Sequence, residues 1–389
     1  MRFQFLPGLA ALSGALALAA CATTGAPPAS TVASGTVSGT TWRAPPPPYA
    51  PPPYARPSAA APSADSGHMS VDPGFAGLQG WAEDDHAAAL AAFQQSCAAA
   101  QDPALRDVCR RAVALGHADE RQARRFLETH FRPEASPEEG LLTAYFAPVY
   151  EARNMPEGEF TAPVRPRPDD LPVADWTSGA GAPYAERAEI EARPAPDALA
   201  WMRPQDLFFL QIQGSGVLVY PNGVRVKALF DGVNGARFRG IATPMRDQGL
   251  ISDTSGESIR SWLAAHVGAE ANAVMDLNPR YVFFKIGPDD GQDPAGAAGM
   301  PLIPGRAVAV DTSRHALGEL VWIDASAPAL AGAFPTYRRL TVALDTGGAI
   351  KGDARADLYL GRGPEAGLAA GRVRHTLRLY RLVPVDPAG

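Results

Sequence analysis

Arg339-Leu-Thr-Val-Ala-Leu-Asp-Thr-Gly-Gly-Ala-Ile-Lys-Gly352, followed five residues on by Asp357-Leu-Tyr-Leu-Gly361, decides how this chain is read. Arg339 to Leu344 alternates as a strand does, so Asp345 stands where that strand opens into a glycine-containing loop. Gly347 and Gly348 let backbone approach a bulky ligand, and Asp357 returns on the next short strand. Two carboxylates on one strand-loop-strand segment read as an active site. A tight turn capped by two aspartates is the competing account.

Outward from this segment, the N-terminal end reads as an export signal. Met1-Arg-Phe-Gln-Phe5 carries one positive charge and leads into an Ala- and Leu-rich run ending at Leu18-Ala-Ala-Cys21. Residues 1–20 are expected to be a signal peptide, and Cys21 resembles the first mature residue of a bacterial lipoprotein. Acyl chains on Cys21 would hold the protein to a membrane, since each buried methylene contributes about 0.8 kcal/mol. Ala22, by its resemblance to sorting signals without Asp there, favours the periplasmic face of the outer membrane. Residues 21–73 form the lipidated end and a tether rich in Ala, Ser, Thr, Gly and Pro, with Pro45 to Pro48 and Pro51 to Pro53 favouring extended polyproline II.

The net charge of −6 excludes the basic surplus of a nucleic-acid binder. Cys97 and Cys109, twelve positions apart in an exported chain, read either as a disulfide or as two buried thiols. No Cys or His cluster points to a metal, and no cofactor is expected.

Helical signals come first. Leu90, Phe93 and Cys97 share a face between Asp84 and Gln101, Asp102-Pro103 caps a second helix, and a third starts near Asp119 and stops at Arg132-Pro133. His130 reads as a packed or capping histidine. Strands are then expected at Leu141–Phe146, Asp206–Gln213, Val217–Tyr220, Val224–Phe230, Tyr281–Ile286, Ala307–Asp311, Leu320–Ile323 and Thr376–Leu382, with a hairpin at Asn222-Gly223. One more helix begins at the capping-box pattern Thr254-Ser-Gly-Glu257. The fold is thus mainly β with N-terminal helices.

Several motifs in order resemble the membrane-bound lytic murein transglycosylase A family with its C-terminal three-aspartate domain. They are Thr143-Ala-Tyr-Phe-Ala-Pro-Val-Tyr-Glu-Ala-Arg153, Gln211-Ile-Gln-Gly-Ser-Gly216, Asn278-Pro-Arg-Tyr-Val-Phe-Phe-Lys285, and the two aspartate segments quoted above, the second continuing to Gly367. The resemblance implies a double-psi β-barrel catalytic domain (74–147 plus 288–386) and an inserted β-domain (148–287), with a substrate groove between them. It implies non-hydrolytic cleavage of the MurNAc-β-1,4-GlcNAc bond of peptidoglycan to 1,6-anhydro ends. By that resemblance the C6 hydroxyl of the substrate would be the nucleophile, so one carboxyl, Asp357, would act as acid and then base.

In that account Asp345 is either the anion that keeps Asp357 protonated or a cap for the glycine loop, and Asp311 is scaffolding. Thr143, Gln213, Gly214, Ser215, Gly347, Gly348 and Tyr359 would contact the glycan, and Lys351 would meet either a carboxylate or solvent. Ala144, Ala147 and Phe230-Asp-Gly232 depart from the family's usual residues. The partners implied are peptidoglycan strands, the anchoring membrane, and a cell-wall synthase or scaffold. A non-catalytic peptidoglycan clamp and a two-carboxylate β-1,4-glycan hydrolase are the alternatives.

Overall fold

The computed structural model describes residues 74–171, 184–327 and 334–385; the signal, Cys21 and the proline-rich tether lie outside the described residues. The chain first forms α1 (His86–Gln95), α2 (Pro103–Leu115) and α3 (Glu120–His130). Each begins at an aspartate that accepts a first-turn N–H: Asp85 from Ala88 at 2.8 Å, Asp102 from Leu105 at 2.9 Å and Asp119 from Gln122 at 2.9 Å. The Gln122 side chain accepts from the Asp119 N–H in return, which completes a capping box. Helix α1 ends at Gln95, short of the Gln101 that periodicity predicts. The Ser96 hydroxyl bonds back to the Ala92 and Phe93 carbonyls, and Cys97–Ala99 continue as a tighter 3-10 turn. Cys97 and Cys109 are joined as a disulfide, with Cα atoms 5.6 Å apart. His130 closes α3 with its ring against Phe126.

After α3 the chain passes directly into β1 (Phe131–Ala135), a strand that the sequence reading took only as a helix stop. Pro133 is tolerated there because β1 is an edge strand. Next come β2 (Gly140–Ala147), β3 (Val149–Glu151), β4 (Ala162–Val164), α4 (Arg187–Glu191), β5 (Ala200–Met202), α5 (Pro204–Gln213), β6 (Gly216–Val219) and β7 (Arg225–Val233). The remainder is α6 (Ala242–Asp247), α7 (Gly256–Ala265), α8 (Ala269–Met275), β8 (Val282–Pro288), β9 (Ala307–Val310), β10 (Leu320–Ser326), β11 (Thr336–Thr346), β12 (Arg355–Arg362), α9 (Gly363–Ala370) and β13 (Arg374–Pro384).

Six strands pair in the order β13, β10, β11, β9, β12, β2, and β2 pairs again with β13, so the sheet closes on itself. The β9–β11 and β12–β2 pairs are parallel; the others are antiparallel. Strand periodicity then sorts the side chains. Val308, Val310, Val321, Ile323, Ala343, Ala356, Leu358, Leu377 and Leu379 meet in a cluster that contains no helix residue, the interior of the closed sheet. Residues of the opposite parity, including Leu320, Trp322, Leu340 and Val342, pack with Trp81, Phe93 and Leu127 of the N-terminal segment. Asp84 fastens that layer. Fully buried, it accepts from both terminal nitrogens of Arg306 at 2.9 Å and from the Leu340 N–H at 2.8 Å.

Strands β3, β6, β7 and β8 form a separate four-stranded sheet in that order, β4 and β5 form a ribbon, and α4 to α8 lie in the same stretch of chain. The fold is therefore mixed, and the "mainly β" expectation is corrected here. The decisive misreading was Asp206–Gln213, expected as a strand and found inside α5. Its apolar run marks burial without fixing periodicity. Pro204 in the first turn and Gly214 at the left-handed C-cap (φ 84°) set the helix limits. The Asn222-Gly223 turn does join β6 to β7. Helix α7 is capped by Ser255, one residue after the expected Thr254, through a 3.1 Å bond from the Ser258 N–H.

Candidate active site

Register brings the aspartates together. On β9, Ala309 stands opposite Asp345 of β11 on one side and opposite Asp357 of β12 on the other, while Asp357 is itself opposite Thr143 of β2. Residues in register share a face, so Thr143, Asp357, Ala309 and Asp345 form one row across four strands, facing away from the barrel interior. The small Ala309 keeps the space between the two carboxyls open. The row lines a cavity of about 730 Å³ that is also lined by Gln213, Gly214 and Ser215 at the end of α5, by Phe230, Phe238, Arg280 and Lys285 of the stretch from β7 to β8, and by the Gly347–Lys351 loop.

The two carboxyls differ in their partners. Asp345 accepts from the Tyr145 hydroxyl at 2.8 Å and from the Ala297 and Thr346 N–H groups at 2.9 Å each. Asp357 accepts from the Thr143 hydroxyl, which in turn accepts from Arg355 Nη2 at 2.9 Å. Burial raises the pKa of both aspartates above the ordinary carboxylate range. For Asp345 three donors oppose that rise. For Asp357 the Thr143 hydroxyl and Arg355 oppose it, and the charge of Asp345 adds to it. Asp357 thus has fewer donors than Asp345.

The remaining site residues read from the sequence fall into three groups. Gln213 and Ser215 use their side chains to accept from the Phe146 and Phe230 N–H groups, at 3.1 and 3.2 Å, and so tie the loop after α5 to β2 and β7. Asp311 accepts from Gly352 at 2.9 Å and from Ser313, with Lys351 Nζ 3.6 Å away, and thus braces the glycine loop. Tyr359 is fully buried. Its hydroxyl donates to Asp293 at 2.6 Å and its ring lies against Tyr145 at 5.2 Å between centroids, in the wall of the same cavity.

Tyr145, Arg355, Arg280 and Ala309 were not singled out from the sequence. Tyr145 and Arg355 each sit two residues from a chosen one, a spacing that returns the side chain to the same face of a strand. Among the described residues no group of three or more His, Cys, Asp or Glu could hold a metal, and no helix is long and apolar enough to cross a membrane.

The MltA specific insert domain matches residues 141–285, and the 3D domain matches residues 306–383. Membrane-bound lytic murein transglycosylase A of Escherichia coli strain K12 is 34% identical over 284 residues, 70% of this chain and 73% of the relative. The crystal structure of membrane-bound lytic murein transglycosylase from Agrobacterium tumefaciens superposes with a TM-score of 0.70 at 31% identity, covering 80% of this chain and 96% of that one. E. coli MltA with bound chitohexaose gives a TM-score of 0.61 at 29% identity, covering 78% and 90%. The chain belongs to the membrane-bound lytic murein transglycosylase A family and is an enzyme of that family.

Proposed function

We propose that the protein cleaves the MurNAc-β-1,4-GlcNAc bond of peptidoglycan without water, with Asp357 as the single acid and base. The row Thr143–Asp357–Ala309–Asp345 carries this reading: it sets two buried carboxyls side by side, both with raised pKa, Asp357 under one hydroxyl donor and Asp345 under three donors. Asp357 gives its proton to the glycosidic oxygen as the C1–O bond breaks. The C6 hydroxyl of the same muramic acid then bonds to C1, and its proton passes to the Asp357 carboxylate, restoring the acid. Thr143 and Arg355 steady the carboxylate in the interval between these transfers. Asp345, under three donors, opposes the positive charge that develops on the ring.

The same reading takes the closed six-stranded sheet as a double-psi barrel, residues 74–147 plus 288–386, and residues 148–287 as the insertion across the substrate groove. The insert-domain match begins at residue 141, inside β2, but β2 pairs with barrel strands and so belongs to the barrel. A lipid on Cys21 would hold the enzyme at the periplasmic face of the outer membrane, with residues 22–73 as the tether to the wall. The chitohexaose complex of the E. coli relative supports a glycan strand as ligand.

Asp357→Asn tests the assignment. The amide keeps the shape but cannot donate and retrieve the proton, so the variant should bind sacculi and release no soluble muropeptides. Turnover near that of the parent would remove Asp357 from the chemistry.

A further inference from the structure

Arg280 lines the catalytic cavity from the inserted segment, and its backbone is held firmly. The buried Arg187 donates to the Arg280 carbonyl at 2.7 Å, and the Arg280 N–H reaches Asn278 Oδ1 at 3.3 Å. Arg187 is fixed in turn over the Phe208 and Tyr281 rings, 4.9 and 5.4 Å from their centroids. The Arg280 side chain crosses to the glycine loop of the barrel. A Cβ on Gly348 would lie 3.2 Å from its Nη1 and 3.3 Å from its Cζ, so glycine there gives the guanidinium its place.

A guanidinium presents five N–H donors. Among the described residues, that of Arg280 has no carboxylate or carbonyl acceptor, although the other cations around the cavity are engaged. Arg187 bonds Glu191 and two carbonyls, Arg355 bonds Thr143, Lys285 lies 3.4 Å from Asp231, and Lys351 lies 3.6 Å from Asp311. Burial lowers the Arg280 pKa, but an arginine remains charged at neutral pH. A half-buried, pre-positioned fork without an acceptor matches a planar carboxylate.

The geometry points to Arg280 as a specificity residue that takes a carboxylate of the substrate beside the Gly347-Gly348 loop. This rests on the peptidoglycan reading above and deepens it. Lys351, the cation that the sequence offered for this role, is turned toward Asp311. Two parts of the substrate carry such a group: the stem peptide, and the lactyl arm of muramic acid once the peptide is removed.

Calorimetry in the Asp357→Asn background, where the ligands persist, separates the sources. The probes are chitohexaose, which has no carboxylate; peptide-free glycan strands, with lactyl carboxylates only; and strands that carry stem peptides. Adding Arg280→Gln should weaken the carboxylate-bearing ligand by about tenfold or more while leaving chitohexaose within about twofold, which also reports that the variant is folded. Loss on peptide-bearing strands alone identifies a stem carboxylate, and loss on both strand types identifies the lactyl group. Arg280→Lys should restore part of the affinity, as a point charge without the fork. Equal weakening of all three ligands, or none, would overturn the assignment. Cleavage persisting in the Asp357→Asn background would instead strike the catalytic reading and leave the binding comparison intact.

Discussion

Thr143→Val removes one hydroxyl and almost no volume, so it isolates the link between Arg355 and the catalytic carboxyl. In the parent, Thr143 donates to Asp357 and accepts from Arg355 Nη2 at 2.9 Å. A hydrogen bond to a charged group is worth about 1.5–3 kcal/mol, and on the proposed mechanism this one supports Asp357 when it is ionised, in the interval before it retrieves the C6 proton. Losing it should lower kcat by roughly 10- to 150-fold if that interval governs the rate. The sign of the pH effect follows. Without its donor the Asp357 anion is less stable, the pKa rises further, and the alkaline limb of the kcat profile moves to higher pH. Release of soluble muropeptides from sacculi, measured across pH, reads both effects. Thr143→Ser should recover most of the rate. A Thr143→Val enzyme with parental kcat and an unmoved limb would refute the proton economy described here.

Ala309→Leu should fill the gap between the carboxyls, abolishing strand binding while circular dichroism stays parental; unchanged binding would show that the row is not the glycan floor. Asp84→Ala leaves Arg306 buried without its partner and should cost about 3–5 kcal/mol in urea unfolding, and a loss under 1 kcal/mol would contradict the staple. Asp357→Asn should raise the melting temperature at neutral pH. The raised folded pKa means that the parent's Asp357 contributes stability only while protonated, and that contribution fades as pH climbs through it. The advantage of Asn should disappear below about pH 4, where the parent carboxyl is protonated in both states; an advantage constant across pH would deny the shift.

The β11–loop–β12 segment was legible because alternation and paired glycines leave few other conformations open to it. The three caps at Asp85, Asp102 and Asp119 obey local rules, and Asp102 and Asp119 were readable as helix starts. Helix α5 was not, since a helix buried on most sides shows the same apolar run as a central strand. Register was invisible too. Nothing local says that Ala309 lies between Asp345 and Asp357, and that pairing turns two separated aspartates into one site. Asp84 and Arg306 lie 222 positions apart, so a buried pair of that kind appears only once the chain has folded. Arg280 stood inside a quoted motif, yet its lack of an acceptor among the described residues is a property of three-dimensional surroundings.

The central claim is that the substrate's own hydroxyl, and not water, ends the reaction. Digestion of purified sacculi in ¹⁸O-labelled water by the soluble form lacking residues 1 to 72, followed by mass spectrometry of the released muropeptides, tests it directly. The account predicts 1,6-anhydro-muramyl ends, one water lighter than hydrolysis products and free of label. Labelled reducing ends would contradict it and would make the Asp345–Asp357 pair a hydrolase's two carboxylates.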